Sequence, residues 1–137
     1  MNKLFSLIII AFIFSCKGSV KRTDFNDDME DAQEYTLQFY RALGQFGIDS
    51  AKHFFYEYED FVSGKELLLS VKNTYGDIEN VEVFGIRTSV LIKDTIKEKN
   101  YYVKVKGNYS NWNTEETLNI RTIKGKLLIY EYQINGL

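Results

Sequence analysis

The sequence predicts an α+β domain in which N-terminal helices pack on a curved antiparallel sheet of about four strands. Two observations carry this expectation. Apolar residues recur every three or four positions over residues 24–46, as they do on one face of a helix. From Asp77 onward the period changes to two, the spacing of a half-buried strand. Helical segments followed by a run of hairpin-linked strands is the order of an α+β fold.

The first helix is predicted over residues 24–46, with Met29, Ala32, Thr36, Phe39, Leu43 and Phe46 forming the stripe and Tyr35, Tyr40 and Ala42 widening it. Asp27, Asp28, Glu30 and Asp31 crowd its first turns, where the helix dipole favours anions, and are expected as a solvated helix start. Gly44 and Gly47 flank its end, and Asp49 or Ser50 can cap a second short helix over residues 51–56. Ser63-Gly64-Lys65-Glu66 has the spacing of a capping box, which starts a third helix through Leu67, Leu68 and Val71 that Gly76 ends. Residues 81–92 then predict one long strand, or two with a kink at Gly85. After a polar turn region over 93–99, Tyr101, Val103, Val105 and Tyr109 alternate with Tyr102, Lys104, Lys106 and Asn108. Residues 110–114 predict a turn, Leu118 and Ile120 open the next strand, and Lys124-Gly125-Lys126 makes a tight hairpin into the last one.

The N-terminus carries a different signal. Lys3 supplies a positive start, and an eleven-residue apolar stretch follows over residues 4–14. As a helix that stretch covers roughly 17 Å against about 30 Å of bilayer hydrocarbon, too short to span and suited to a cleaved export signal. Ile13-Phe14-Ser15-Cys16 at its end resembles the bacterial lipobox: a branched aliphatic residue, a variable one, a small one, then the cysteine that receives lipid. The resemblance implies cleavage before Cys16, a thioether-linked diacylglycerol on its sulfur and an acyl chain (palmitate is typical) on its new amino group. Two or more chains hold a protein stably on a membrane where one does not. Cys16 is the only cysteine, so no disulfide competes for it. The expected organisation is a signal peptide over 1–15, lipidated Cys16 and tether over 16–24, and a single domain over 25–137. Lys17 follows the cysteine where an aspartate would mark inner-membrane retention in some bacteria, which favours the outer membrane. The tether cations Lys17, Lys21 and Arg22 either attract anionic headgroups or form a solvated spacer.

Cleavage leaves 122 of the 137 residues, enough for one domain with a core of its own. Without Lys3 the charges are 16 basic against 19 acidic, and no basic stripe of the kind nucleic acid requires is present.

The order of a long first helix, short helices and about four strands resembles the nuclear-transport-factor-two-like (cystatin-like) cone. The likeness is carried by Ala32-Gln33-Glu34-Tyr35 to Leu43, the helix from Ser63 to Gly76, and the closing Lys124-Gly125-Lys126-Leu127-Leu128-Ile129. It is similar in particular to small bacterial secreted or lipoprotein domains of that shape. Such folds host enzymes, carriers and interaction domains alike, so the resemblance implies an architecture and leaves function to the site.

Candidate chemistry is sparse. His53 is the only histidine and Asp49 its only local partner for general base work, against a structural role beside Phe54 and Phe55. No metal or cofactor motif occurs, nor a phosphate loop or nucleophile elbow. Tyr56 and Tyr58, interleaved with acids, are candidate contacts for a ligand or partner, against a loop whose rings dock on the core. Trp112, in a turn between two asparagines, is a third. The expectation is a non-enzymatic, membrane-anchored binding or protein-interaction domain, its partners membrane lipid through Cys16 and an envelope protein. A small apolar ligand pocket is the alternative, and an isomerase-like enzyme stands third.

Overall fold

The computed structural model describes residues 18–56 and 58–136. The expected export signal, Cys16, Lys17 and Glu57 lie outside them. The order of elements is β1 (Val20–Thr23), α1 (Asn26–Phe46), a 3-10 helix (Ile48–Phe54), α2 (Tyr58–Tyr75), β2 (Ile78–Lys93), β3 (Ile96–Tyr109), β4 (Asn113–Ile123) and β5 (Lys126–Gly136). The fold is α+β. Its sheet runs β1-β2-β3-β4-β5 with every neighbouring pair antiparallel.

The sheet has five strands, close to the expected about four, and the additional one comes from part of the expected tether. Val20 to Thr23 pair with Ile92 to Ser89 at the far end of β2. Two local devices hold this short strand. Asp24 and Thr88 exchange bonds, the Asp24 amide reaching the Thr88 hydroxyl at 3.0 Å and the Thr88 amide reaching Asp24 Oδ1 at 2.7 Å. Arg22 grips Asp28 of α1 with both arms of its guanidinium, at 2.7 Å each. Asp28 is therefore 1% exposed rather than part of a solvated helix start. Lys99 of β3 similarly engages Asp31 at 2.5 Å. Two of the four acids that sequence spacing assigned to the dipole thus clamp the helix to the sheet.

Along α1, Ala32, Thr36, Phe39 and Tyr40 are buried as the stripe requires. Thr36 meets its hydroxyl's need inside the helix by donating to the Ala32 carbonyl at 2.8 Å. Phe46 departs from expectation at 76% exposed, on the last residue of a helix that Gly47 closes through its amide to the Leu43 carbonyl. Phe39 is the hub beneath, edge-on to Tyr40, Phe54, Phe55 and Tyr132 with ring centroids 5.0–6.1 Å away. Such edge contacts each add about 0.5–1.5 kcal/mol beyond burial. From the sheet, Val90, Tyr101, Val103, Val105, Leu118, Ile120 and Ile129 close the core.

The third helix starts earlier than its capping box suggested, at Tyr58, and runs through Ser63-Gly64 without a break. Gly64 is there for packing: a Cβ on it would sit 2.6 Å from the Phe55 ring. The kink foreseen at Gly85 is a register shift between Val83 and Gly85 inside one unbroken strand, and two further shifts lie between Ile78 and Asn80 and between Asn119 and Ile120. Extra residues of this kind bend a sheet and increase its twist. The polar turn region shrinks to Asp94-Thr95, since Lys93 already pairs with Ile96. Lys124 and Gly125 both have positive φ, the geometry of a two-residue hairpin turn.

The C-terminus of α2 is pinned to the β3–β4 turn. The Ser110 and Asn111 amides donate to the Asp77 and Tyr75 carbonyls, both at 2.9 Å. Gly76, at φ +91°, lies between them, and a Cβ there would fall 2.0 Å from Ser110 Oγ. Gly76→Ala is expected to cost about 2 kcal/mol or more, from left-handed backbone strain and the collision. A urea melt reads this as a lower midpoint at unchanged slope, and an unchanged midpoint contradicts it.

Candidate functional site

In β4 the inward-facing residues are Thr114, Glu116, Leu118 and Ile120, so a carboxylate stands in a row that otherwise closes the core. Glu116 is 1% exposed. Its side chain accepts four hydroxyl hydrogen bonds, two on each oxygen. Oε2 takes Tyr40 from α1 and Tyr132 from β5, both at 2.5 Å. Oε1 takes Tyr109 from β3 at 2.8 Å and Thr114 of its own strand at 2.7 Å. A carboxylate has about four lone-pair sites, and all are used.

Three strands and the first helix converge on this one side chain, so the cluster ties both layers together. Space for it comes from Gly107, which faces Thr114 across the β3–β4 pair. A Cβ at Gly107 would lie 2.5 Å from Glu116 Oε1 and 2.6 Å from the Tyr109 ring. Burial, reinforced by the charge of Glu116, pushes the Tyr40, Tyr109 and Tyr132 hydroxyls above the ordinary tyrosine range. Burial also raises Tyr35, whose hydroxyl donates to the Leu127 carbonyl at 2.7 Å. At neutral pH these groups are donors, which is what Glu116 needs.

Chemically the cluster is closed. General base work needs a lone pair and a path for substrate. Glu116 offers neither, with its acceptors filled and its surface covered.

A half-open groove of about 650 Å³ runs between the end of α1, the 3-10 helix, α2 and the start of β2. Leu43, Ile48, Leu68, Val71 and Ile78 supply its apolar lining, and Lys72, Asn73 and Asp77 its polar edge. Tyr109 forms one wall and is the residue shared with the Glu116 cluster. No single sequence window announces this groove, because it is assembled from segments more than sixty residues apart.

The candidates named from sequence are not brought together. Trp112, 57% exposed, lies in the β3–β4 turn with Ser110, Asn111 and Asn113. Tyr56 sits at the other end of the sheet, its amide donating to the Ile129 carbonyl and its ring 5.9 Å from the Arg121 guanidinium. Tyr58 opens α2, and its side chain is outside the description. His53 is exposed and stacks on Phe54 at 4.2 Å, while Asp49 engages Lys65 at 2.5 Å instead. Among the described residues no three His, Cys, Asp or Glu side chains converge as metal ligands would.

No family model matches the chain, and no curated protein or solved structure matches it. Function rests on the geometry.

Proposed function

We propose that the chain is a bacterial envelope lipoprotein whose folded domain is a non-enzymatic binding module, held at a membrane by lipid on Cys16 and meeting an envelope protein. The domain is taken as a small cone of the nuclear-transport-factor-two-like (cystatin-like) kind, with the three register shifts and the aromatic hub under α1 supporting that shape. The observation that carries the functional part is the closure of Glu116. In a reaction chamber the buried carboxylate of the sheet would face a cavity, whereas here four hydroxyls consume it. Contact with other molecules then falls to surface features such as the largely apolar groove beside Tyr109.

The same groove favours one second reading, a site for a small apolar ligand, since its volume is within the range of small-molecule pockets. Native mass spectrometry of the purified protein separates the two: a stoichiometric small molecule carried through purification supports the ligand reading and removes the first. The anchor is tested by growing cells with a fatty-acid analogue. Label is expected on the wild-type chain and is lost in Cys16→Ala, which is also expected to leave the membrane fraction. Labelling that survives in the variant contradicts the lipoprotein assignment.

A further inference from the structure

The β2–β3 and β4–β5 turns lie at the same end of the sheet. Asn100 pairs with Arg121, which sets the Lys124-Gly125 turn beside Lys97 and Glu98, with the Asp94-Thr95 turn just beyond. A recess of about 570 Å³ joins the two tips. β1 starts here as well, Val20 pairing with Ile92.

This end is basic and greasy. Lys21, Lys93, Lys97, Lys124 and Lys126 are all exposed, against the acids Asp94 and Glu98. Val20 and Ile96 add apolar side chains that are 60% and 62% exposed. The chain as a whole has a net charge of −2, so the excess is local. Towards the other end the balance reverses, with exposed Asp77, Glu79 and Glu82 and half-exposed Glu115 near Lys72 and Lys106. The exposed acids of α1, Asp27, Glu30, Asp31 and Glu34, lie behind the tips, since Thr23 pairs with Ser89, three residues back from Ile92, and Asp31 is already paired with Lys99.

Cys16 lies four residue steps before Val20, a reach of at most about 14 Å when fully extended. If Cys16 is lipidated, as proposed above, this end of the sheet therefore stays within about 14 Å of the headgroups. We propose that it is the membrane-facing surface of the domain, with its lysines on anionic phospholipid headgroups and Ile96 and Val20 at the interface. The sheet then stands away from the bilayer. β3 alone rises about 43 Å, carrying the Trp112 turn and the groove beside Tyr109 to the distal end, where a partner in the surrounding compartment would reach them.

The chain's single tryptophan makes this testable with the lipidated full-length protein on vesicles carrying brominated phospholipid, a short-range quencher. Ile96→Trp in a Trp112→Phe background is expected to be strongly quenched on vesicles of phosphatidylcholine and phosphatidylglycerol. Native Trp112 is expected to remain unquenched on the same vesicles. Reversing any one of Lys93, Lys97, Lys124 or Lys126 to Glu is expected to lower the docked-to-undocked ratio about five-fold or more. Raised salt should act in the same direction, because the attraction is screened within about 8 Å at physiological ionic strength.

Flotation with vesicles of phosphatidylcholine alone reports the anchor separately. Protein that fails to float there overturns the anchor and the docking together. Protein that floats while tryptophan at 96 stays unquenched, or while Trp112 is quenched equally, overturns the docking and leaves the anchor standing.

Discussion

Glu116→Gln is expected to destabilise the domain by about 3 kcal/mol, a large share of the roughly 5–15 kcal/mol that holds a domain of this size together. The substitution keeps shape and volume and changes only hydrogen bonding. An amide presents two N–H groups where the carboxylate oxygen accepted two hydroxyls, so the side chain keeps one acceptor atom for four donors. Charge-assisted bonds become neutral ones, and hydroxyls left without a partner cost about 1–3 kcal/mol each when buried. Glu116→Ala is expected to be worse, since Tyr40, Tyr132 and Tyr109 then surround a void. Chemical denaturation of Glu116→Gln, Tyr132→Phe and the double variant reads the effect. The double variant should lose less than the sum of the singles, because both remove the same bond. Additive losses, or a Gln variant as stable as wild type, would show that the cluster does not hold the layers together.

At high pH the same cluster makes the fold give way steeply. The Tyr35, Tyr40, Tyr109 and Tyr132 hydroxyls are all raised, burial being the first cause for each. Below about pH 10 they are neutral in both the folded and unfolded states, and stability is complete. Above it the unfolded chain releases protons that the folded chain retains. Stability therefore falls as pH rises, by up to about 1.4 kcal/mol per pH unit for each such tyrosine. Unfolding is expected in the region above pH 10, with a tyrosinate absorbance step that coincides with loss of the far-ultraviolet circular dichroism signal. Smooth ionisation of these hydroxyls while that signal persists would contradict it. Tyr40→Phe should make the alkaline limb shallower, even though it weakens the domain at neutral pH.

Much of the architecture was legible because it follows from repeating patterns. The α1 stripe, the change to alternation after Gly76 and the Lys124-Gly125 hairpin each state their geometry within a short window. β1 was not legible: Val20-Lys21-Arg22-Thr23 has little strand character of its own and becomes strand only because the end of β2 offers an unpaired edge. The same holds for Asp28, whose burial depends on Arg22 being brought to it by that strand. Glu116 had a signal that was available. Carrying the Leu118 and Ile120 alternation back by two and four residues turns Glu116 and Thr114 inward, which makes a buried carboxylate a requirement to be met. Its tyrosine partners come from positions 40, 109 and 132, and no local pattern links them.

By itself the sequence determined the α+β class, the order of the helices and of the four long strands, and the single cysteine at the end of an apolar stretch, since all of these are written in composition and period. Only the tertiary structure decided which hydroxyls meet Glu116, that a strand forms from the supposed tether, and that five lysines from separate segments share one end of the sheet. Period and propensity act over a few residues. Hydrogen-bond satisfaction and the charge of a surface depend on which distant segments the fold brings side by side.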